Sequence, residues 1–203
     1  DRLRCWRVSK IFYVMGKSAS GKDTIYQELL RIPELRLTSM VLYTTRPRRA
    51  KETEGVEYHF VTEEELARLE KEGRVIELRE YHTIQGIWKY FTVDDTDLNS
   101  RDYLAIGTLV SYEKLKNWYG KERVVPIYIQ TEDSIRLERA IRRERKQEKP
   151  NYEEVCRRFL ADSRDFSEEN LEKAGISTRF DNNEELSACL EQTAGFIKGI
   201  ITK

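Results

Sequence analysis

Residues 15–24 read MGKSASGKDT and contain the pattern GxxxxGK, in which x is any residue. An apolar run, residues 11–14, precedes the pattern, and Ile25, Leu29 and Leu30 follow it at helical spacing. A loop between a strand and a helix can curl its backbone N–H groups around phosphate oxygens, and the positive end of the helix dipole adds to the attraction. The sequence therefore predicts a strand–loop–helix unit that binds the phosphates of ATP or GTP.

The loop and the start of the helix supply the candidate ligands for the triphosphate: Gly16, Ser18, Ala19, Ser20, Gly21, Lys22, Asp23 and Thr24. Lys22 is expected to reach the terminal phosphates. Asp23 stands where this pattern usually has Ser or Thr, whose hydroxyl group ligates Mg²⁺, the cofactor expected here with ATP. Asp23 either holds the metal directly, holds it through water, or marks a weakened site.

Composition limits the class of protein. The 203 residues include 36 Lys and Arg against 36 Asp and Glu, and this balance argues against extended binding of nucleic acid. No apolar run approaches the ~20 residues needed to span a bilayer. Three cysteines, Cys5, Cys156 and Cys189, show no metal-site spacing, and residues 1–6 do not resemble a secretory signal. We expect a cytoplasmic protein without nucleic-acid or membrane partners, and the oligomeric state stays open.

Strand-like and helix-like runs alternate along the chain. Strands are predicted at 11–15, 40–43, 57–61, 75–81, 103–106, 124–129 and 178–181, and helices at 22–31, 63–72, 110–118, 134–145, 152–163 and 184–200. Thr62 and Glu65 predict a capping box at the second helix. Apolar strands that alternate with crossover helices favour an α/β fold, with a parallel sheet between two helical layers.

A second cluster lies in TTRPRR, residues 44–49, which is followed by EGVEYHF, residues 54–60. Arg46, Arg48 and Arg49 carry planar guanidinium groups, each of which can form two parallel charge-assisted hydrogen bonds with a phosphate. Tyr58 can donate one more. The cluster indicates a second anion site on a small lobe that faces the phosphate loop, and the alternative is a solvated basic turn.

The run TTRPRRAKETEGVEYHF, residues 44–60, closely resembles the guanylate kinase signature TTRxPRxGExxGxxYxF. Together with the phosphate loop, the resemblance extends from Ile11 to about Ile197. It implies a P-loop three-layer α/β fold with a parallel core sheet, a small mixed monophosphate-binding lobe and a helical lid. In these terms the chain is one domain, residues 1–203, with its core at 8–45, 100–138 and 159–203, the lobe at 46–99 and the lid at 139–158.

The resemblance also implies the residues that bind the acceptor, GMP. They are Arg46, Arg49 and Tyr58 at its phosphate, Glu77 at guanine, and Tyr90, Thr92 and Thr108 beside them. A carboxylate such as Glu77 can accept hydrogen bonds from both N1–H and N2–H₂ of guanine. Tyr90 and Thr92 match the family's Tyr-Gly-Ser/Thr turn, whose Tyr touches the phosphate and whose hydroxyl residue touches the base, after a stretch about four residues longer than usual.

Lid arginines follow in the family, and Arg139, Arg143 and Arg158 match their spacing, with Arg142 and Arg145 as competitors. Such arginines close over the phosphates and neutralise the charge that builds up during transfer. Asn182 stands where the family contacts adenine.

The chain departs from the family where members carry a stretch like LDxD/ExQG. Residues 104–110 read LAIGTLV, so both acids are absent and Thr108 is the remaining polar residue. A serine expected near Leu42 or Tyr43 is also missing. One hypothesis is that Asp23 replaces the lost acid as a Mg²⁺ ligand.

The resemblance implies an enzyme that transfers a phosphoryl group from ATP to GMP or dGMP. The departures keep two alternatives open: a kinase for another nucleoside monophosphate, and a binding module without turnover.

Overall fold

Nine strands and seven α-helices form the described part of the chain, residues 8–83 and 86–202 of the computed structural model. The strands are β1 (Ile11–Met15), β2 (Thr38–Ser39), β3 (Leu42–Thr44), β4 (Tyr58–Phe60), β5 (Val75–Thr83), β6 (Gly86–Val93), β7 (Tyr103–Ile106), β8 (Val124–Gln130) and β9 (Arg179–Asp181). The helices are α1 (Lys22–Leu30), α2 (Glu63–Lys71), α3 (Leu109–Tyr119), α4 (Asp133–Glu144), α5 (Tyr152–Asp165), α6 (Glu168–Lys173) and α7 (Leu186–Ile201). The expectations for residues 1–6 and Cys5 lie outside these residues.

A parallel sheet of five strands, in the order β2-β7-β1-β8-β9, forms the centre of the fold. Every residue of β1 is buried because helices cover both faces of the sheet. On one face the side chains of β1 pack with Tyr112 and Leu115 of α3, and on the other with Ile25 of α1 and Ile197 of α7. Each fully buried aliphatic side chain stabilises the fold by about 1.5–3 kcal/mol. The predicted three-layer α/β fold is confirmed.

A second, smaller sheet has the order β4-β3-β6-β5. It is mixed, since β3 pairs in parallel with β4 and antiparallel with β6, which in turn pairs antiparallel with β5. Leu66 and Leu69 of α2 pack against Phe91 and Val93 of β6. Thr62 caps α2 and forms the predicted capping box with Glu65.

The strand predicted at 40–43 is wrong as a single strand. The backbone N–H of Met40 still donates to the carbonyl oxygen of Leu104, at 2.9 Å, in the core sheet. Leu42–Thr44 then pairs with β4 and β6 in the small sheet. A continuous apolar run does not reveal this change of sheet, because the sheet that each half joins depends on distant strands. The division into core, lobe and lid stays a prediction.

The predicted elements omit β2, β6 and α6. β2 has only two residues, and β6 pairs with β5 across a hairpin and with the distant β3. α6 has only six residues, which is too short for a clear helical period.

The helices α4 and α5 pack against each other beyond the core sheet. The Asn151 side chain caps α5 by accepting a hydrogen bond from the backbone N–H of Glu154. The predicted lid, residues 139–158, corresponds to the second half of α4, the first half of α5 and the segment between them. Among the described helices, none is both long and apolar enough to cross a membrane.

Candidate functional site

The loop between β1 and α1 requires glycine at two positions. Gly21, the residue before α1, has a φ of 89°, in the left-handed region that favours glycine. A Cβ on Gly21 would lie 2.3 Å from Nδ2 of Asn182, and one on Gly16 would lie 2.6 Å from the carbonyl oxygen of Ile129. Ala19 also has a positive φ, of 62°. The loop therefore packs directly against the ends of the neighbouring strands.

Polar groups that follow β8 and β9 hold the loop in place. The carbonyl oxygen of Ser20 accepts hydrogen bonds from Asn182 Nδ2 at 2.7 Å and from Thr131 Oγ1 at 3.1 Å. The hydroxyl of Ser20 and Oδ1 of Asn182 are buried and have no hydrogen-bond partner within the described residues. Asn182 thus supports the loop, and its predicted contact with adenine stays a prediction.

Lys22 and Asp23 face a cleft of about 830 Å³ between the loop and the small sheet. Nζ of Lys22 lies 3.0 Å from Oδ2 of Asp23, and their side chains are 20% and 80% exposed. Gly16 and Ser18 line the same cleft, whereas Thr24 is exposed on the first turn of α1 and does not line it. The loop thus presents a lysine, a carboxylate and backbone N–H groups to one space.

Metal binding at this cleft would depend on few protein ligands. Within residues 8–83 and 86–202, no group of three or more His, Cys, Asp and Glu could hold a metal ion by itself. Mg²⁺ often binds through one or two carboxylates together with substrate phosphates and water. The carboxylates of Asp23 and Asp162 both line the cleft, so the donor set fits Mg²⁺ that enters with a triphosphate.

Asp162 of α5 contacts the loop between β1 and α1, and no sequence motif marks this residue. Its Oδ2 accepts a hydrogen bond from the backbone N–H of Ser18 at 2.7 Å. Arg136 of α4, with a side chain 1% exposed, donates to the carbonyl oxygen of Ser18 at 3.0 Å and lies 3.6 Å from Oδ2 of Asp162. Arg136 also pairs with Asp133 at 2.7 Å, lowering the pKa of that carboxyl group. An anion that binds at the Ser18 N–H must displace the Asp162 carboxylate.

On the lobe, Arg46 lies inside a network of its own. Its side chain is only 3% exposed, and its guanidinium group forms two hydrogen bonds with Glu52, at 2.9 and 2.8 Å. Nε donates to the hydroxyl of Tyr90 at 3.1 Å, and the Tyr58 ring centroid lies 5.5 Å from the guanidinium carbon. Arg46, and next the backbone N–H of Arg49, lower the pKa of Glu52 to about 2. The structure thus brings together three of the predicted phosphate ligands, Arg46, Tyr58 and Tyr90.

The turn at 47–52 places the other two arginines differently. The backbone N–H of Arg49 donates to Oε2 of Glu52 at 2.8 Å, and its side chain is exposed. Arg48 Nη1 donates to the carbonyl oxygen of Glu52 at 3.3 Å. Glu52 therefore orients the turn, and the predicted role of Arg49 stays a prediction.

Glu77 and Thr92 face each other on β5 and β6. Thr92 Oγ1 donates to Oε1 of Glu77 at 3.0 Å, and both residues are buried. Nε of Arg79, a residue the motifs do not indicate, lies 3.2 Å from Oε2 of Glu77. Arg79 lines the 830 Å³ cleft and an adjoining pocket of about 340 Å³ that Tyr58 and Tyr90 also line. The structure brings together the predicted base-side pair, Glu77 and Thr92, and adds a cation to it.

Thr108 caps α3 by accepting a hydrogen bond from the backbone N–H of Ser111 at 3.2 Å. It is exposed at the edge of the cleft. Its predicted contact with the acceptor stays a prediction.

The predicted lid arginines divide between two places. Arg143 and Arg158 line a cavity of about 590 Å³ between α4 and α5, which reaches Ser18. Arg139 donates instead to the carbonyl oxygen of Asn182 at 3.0 Å. The competitor Arg142 is exposed and pairs with Glu138. This placement favours Arg143 over Arg142 for a contact near the loop.

Comparisons with known proteins point to one family. Residues 9–96 match the family model described as guanylate kinase. A guanylate kinase from Streptococcus agalactiae serotype III (strain NEM316) is 44% identical over 66 residues, which are 32% of each chain. A guanylate kinase from Brucella melitensis biotype 1 is 41% identical over 69 residues, 34% of this chain and 31% of the relative. The chain thus matches about a third of the length of these curated relatives.

The similarity in fold covers more of the chain than the similarity in sequence. The solved structure of guanylate kinase from Anaplasma phagocytophilum superposes with a TM-score of 0.59, covering 97% of this chain and 86% of that one. The sequence identity is 23%, so this comparison concerns the fold.

Substituting Asp162 tests whether its carboxylate competes with anions at the loop. Asp162→Asn removes one negative charge beside the Ser18 N–H, so we expect inorganic tripolyphosphate to bind about tenfold more tightly, as measured by calorimetry. Asp165→Asn makes the same charge change at the exposed end of α5 and should alter the dissociation constant less than about twofold. Equal affinities for the wild type and Asp162→Asn would contradict this competition.

The Arg46–Glu52 pair predicts a defined pH dependence of stability. The pKa of Glu52 is about 2 in the folded chain and 4.5 for a free glutamate. The pair therefore contributes stability above about pH 4.5, and this contribution is lost as the pH falls towards 2. Glu52→Gln should lower the free energy of unfolding at pH 7, and its difference from the wild type should shrink as the pH falls. Urea denaturation measures both.

The exposed Glu34 provides the control for this measurement. Glu34→Gln should give nearly the same unfolding free energy as the wild type throughout that range. A Glu52→Gln difference that stays constant between pH 7 and pH 2.5 would show that the pair does not form in solution.

Proposed function

We propose that this chain, which belongs to the guanylate kinase family through residues 9–96 and has the fold of a guanylate kinase, transfers the terminal phosphoryl group of ATP to GMP or dGMP. The observation that carries the proposal is the 830 Å³ cleft. Gly16, Ser18 and Lys22 of the phosphate loop line one side of it, and Tyr58 and Arg79 of the lobe line the other. A glycine-rich loop with its lysine on one side, and a tyrosine and an arginine on the other, suit a reaction between two nucleotides.

The reaction needs alignment and charge neutralisation more than it needs a base. The acceptor is a phosphate oxygen of GMP that is already anionic near neutral pH. It forms a bond with the γ-phosphorus of ATP while the bond from that phosphorus to the β–γ bridging oxygen breaks, and ADP leaves. Lys22 neutralises the transferred group, and Arg46, Arg49 and Tyr58 fix the acceptor phosphate. On the loop, the triphosphate replaces Asp162 at the Ser18 N–H.

Mg²⁺ is the cofactor that we propose to enter with ATP. Asp23, which lines the cleft beside Lys22, would hold the ion directly or through water. When bound, the ion neutralises phosphate charge.

The lid completes the proposed site. Arg143 and Arg158 line the cavity that reaches Ser18. Arg139 donates to the carbonyl oxygen of Asn182, whose side chain contacts the loop. We assign these three arginines to the neutralisation of phosphate charge during transfer, in a site from which closure of residues 139–158 excludes water. The cytoplasmic location suggested by the cysteine pattern also belongs to this proposal.

An assay of ADP release with ATP, Mg²⁺ and GMP tests the function. Lys22→Ala should lower kcat about 10²–10³-fold, because it removes a preorganised cation from the transferred group. Lys173→Ala, at an exposed lysine that pairs with Glu169 on α6, should leave kcat within about twofold of the wild type.

The same assay, run with AMP, CMP, UMP and dTMP, separates the alternatives. Efficient turnover of one of these monophosphates, with little turnover of GMP, would show that the acceptor carries a base other than guanine. Absence of ADP release with every monophosphate would indicate a binding module and overturn the proposal.

Arg48 and Arg49 form a matched pair for the acceptor site. The family signature aligns Arg49 with a phosphate ligand, and Arg48 already donates to the carbonyl oxygen of Glu52. We expect Arg49→Ala to raise KM for GMP about tenfold, with KM for ATP unchanged, because one charge-assisted contact with the acceptor is lost. Arg48→Ala should change KM for GMP less than about threefold. Steady-state kinetics with each substrate varied measures both effects. A larger rise in KM for GMP in Arg48→Ala than in Arg49→Ala would show that the alignment is off by one residue.

A further inference from the structure

Arg79 lies where the acceptor base would bind, and its role is not explained by the sequence motifs. It lies two residues after Glu77 on β5, so both side chains lie on the same face of the small sheet. Across the hairpin, Glu77 pairs with Thr92 and Arg79 pairs with Tyr90. Arg79 therefore has Glu77 beside it on the same strand and Tyr90 opposite it on β6. Tyr90 in turn accepts a hydrogen bond from Arg46.

The contacts of Arg79 leave part of its guanidinium group available. Nε and Nη2 face Glu77, at 3.2 Å from Oε2 and 3.5 Å from Oε1. The Nε contact is an ion pair without hydrogen-bond alignment, and the Nη2 contact is long for a hydrogen bond. Nη1 makes no hydrogen bond with a residue in 8–83 or 86–202, and the side chain is 27% exposed beside three cavities.

This pair of side chains is complementary to two adjoining edges of guanine. The Watson–Crick edge presents N2–H₂ and N1–H, which are donors, and then O6, and the adjoining Hoogsteen edge presents O6 and N7, which are acceptors. The Glu77 carboxylate offers two acceptors, and the adjacent guanidinium offers donors. Arginine binds O6 and N7 of guanine with two hydrogen bonds, and this is the commonest base-specific contact of arginine. Adenine presents N6–H₂ where guanine has O6, so it would place one donor group against Arg79 and leave only N7 as an acceptor.

The cleft lacks the polar side chains that the family signature predicts at two places. Leu42, Ile106 and Gly107 line it where the family signature predicts polar residues. The serine expected near Leu42 is absent, and so are the two acids expected around Ile106. A chain that has lost these polar groups needs another source of base discrimination, and Arg79 is a cation that lines the same space.

We propose that Arg79 is a specificity-determining residue that reads O6 and N7 of a guanine acceptor, while Glu77 reads N1–H and N2–H₂. This inference rests on the proposed transfer of a phosphoryl group to a nucleoside monophosphate. A purely structural role, in which Arg79 only positions Glu77, is the competing explanation.

Substrate analogues separate the two explanations, because each analogue removes one contact. The 7-deaza analogue of GMP lacks N7 and keeps the edge that Glu77 reads, whereas IMP lacks the N2 amino group and keeps O6 and N7. For the wild type we expect kcat/KM to fall about tenfold for 7-deaza-GMP and also for IMP, relative to GMP.

In Arg79→Ala, kcat/KM for GMP should fall at least about tenfold, and the ratio of GMP to 7-deaza-GMP should approach one. The penalty for IMP should stay as it is in the wild type, since Glu77 and Thr92 remain. Arg79→Lys should recover only part of the discrimination, because lysine lacks the planar fork. Arg74→Ala is the matched control, since Arg74 lies just before the same strand, 43% exposed and paired with Glu72, and its substrate ratios should equal those of the wild type.

The outcomes distinguish failure of this inference from failure of the proposed function. If the wild type turns over GMP, and Arg79→Ala keeps the wild-type ratio of GMP to 7-deaza-GMP, Arg79 does not read the base. The same conclusion follows if Arg79→Ala abolishes the IMP penalty, because Arg79 then acts by positioning Glu77. If the wild type releases no ADP with any monophosphate, the proposed function itself fails.

Discussion

Close backbone packing at the phosphate loop is the constraint on which the rest of the site depends. Gly16 lies against the carbonyl oxygen of Ile129, and Gly21 against the side chain of Asn182, with no space for a Cβ at either position. Because β1 is buried on both faces, its carboxyl end is fixed among the ends of β7, β8 and β9. Ligands in open α/β sheets bind at this edge. The core thus determines where the loop faces, and the lobe must approach it from across the cleft.

Charge pairing is a second feature of the site, because four of its cations have carboxylate partners. The pairs are Lys22 with Asp23, Arg136 with Asp133 and Asp162, Arg46 with Glu52, and Arg79 with Glu77. A concentration of unpaired positive charge in a closed cleft would repel itself and destabilise the fold. The carboxylates remove that repulsion in the free protein. They also mean that an anion does not enter empty positive sites but exchanges with groups already there.

Local sequence patterns predicted the parts of the site that follow from contiguous residues. The glycine-rich loop lies between β1 and α1 as expected, and Thr62 and Glu65 form the predicted capping box. Sequence reasoning missed contacts between distant segments. Asp162 reaches Ser18 across 144 positions, and no motif links the two. Leu42–Thr44 joins the small sheet because β4 and β6 offer partners, a choice that the apolar run itself does not contain. Arg79 resembles any polar residue of an exposed strand until its position beside Glu77 is known.

Burial determines which of the paired cations can leave its carboxylate partner to bind a ligand. The Lys22–Asp23 pair is exposed, with side-chain accessibilities of 20% and 80%, and exposed pairs contribute only about 0–1 kcal/mol. Lys22 can therefore leave Asp23 for a phosphate at little cost. Arg136 is 1% exposed, and a buried arginine that loses its partners costs about 3–5 kcal/mol. Arg46 is similarly enclosed, with Glu52, Tyr90 and the Tyr58 ring around it. Arg136 and Arg46 are therefore held in place by their partners, and a ligand that contacts Arg46 must come to it. Among the four paired cations, the two that are exposed enough to turn towards a ligand are Lys22 on the loop and Arg79 on the lobe.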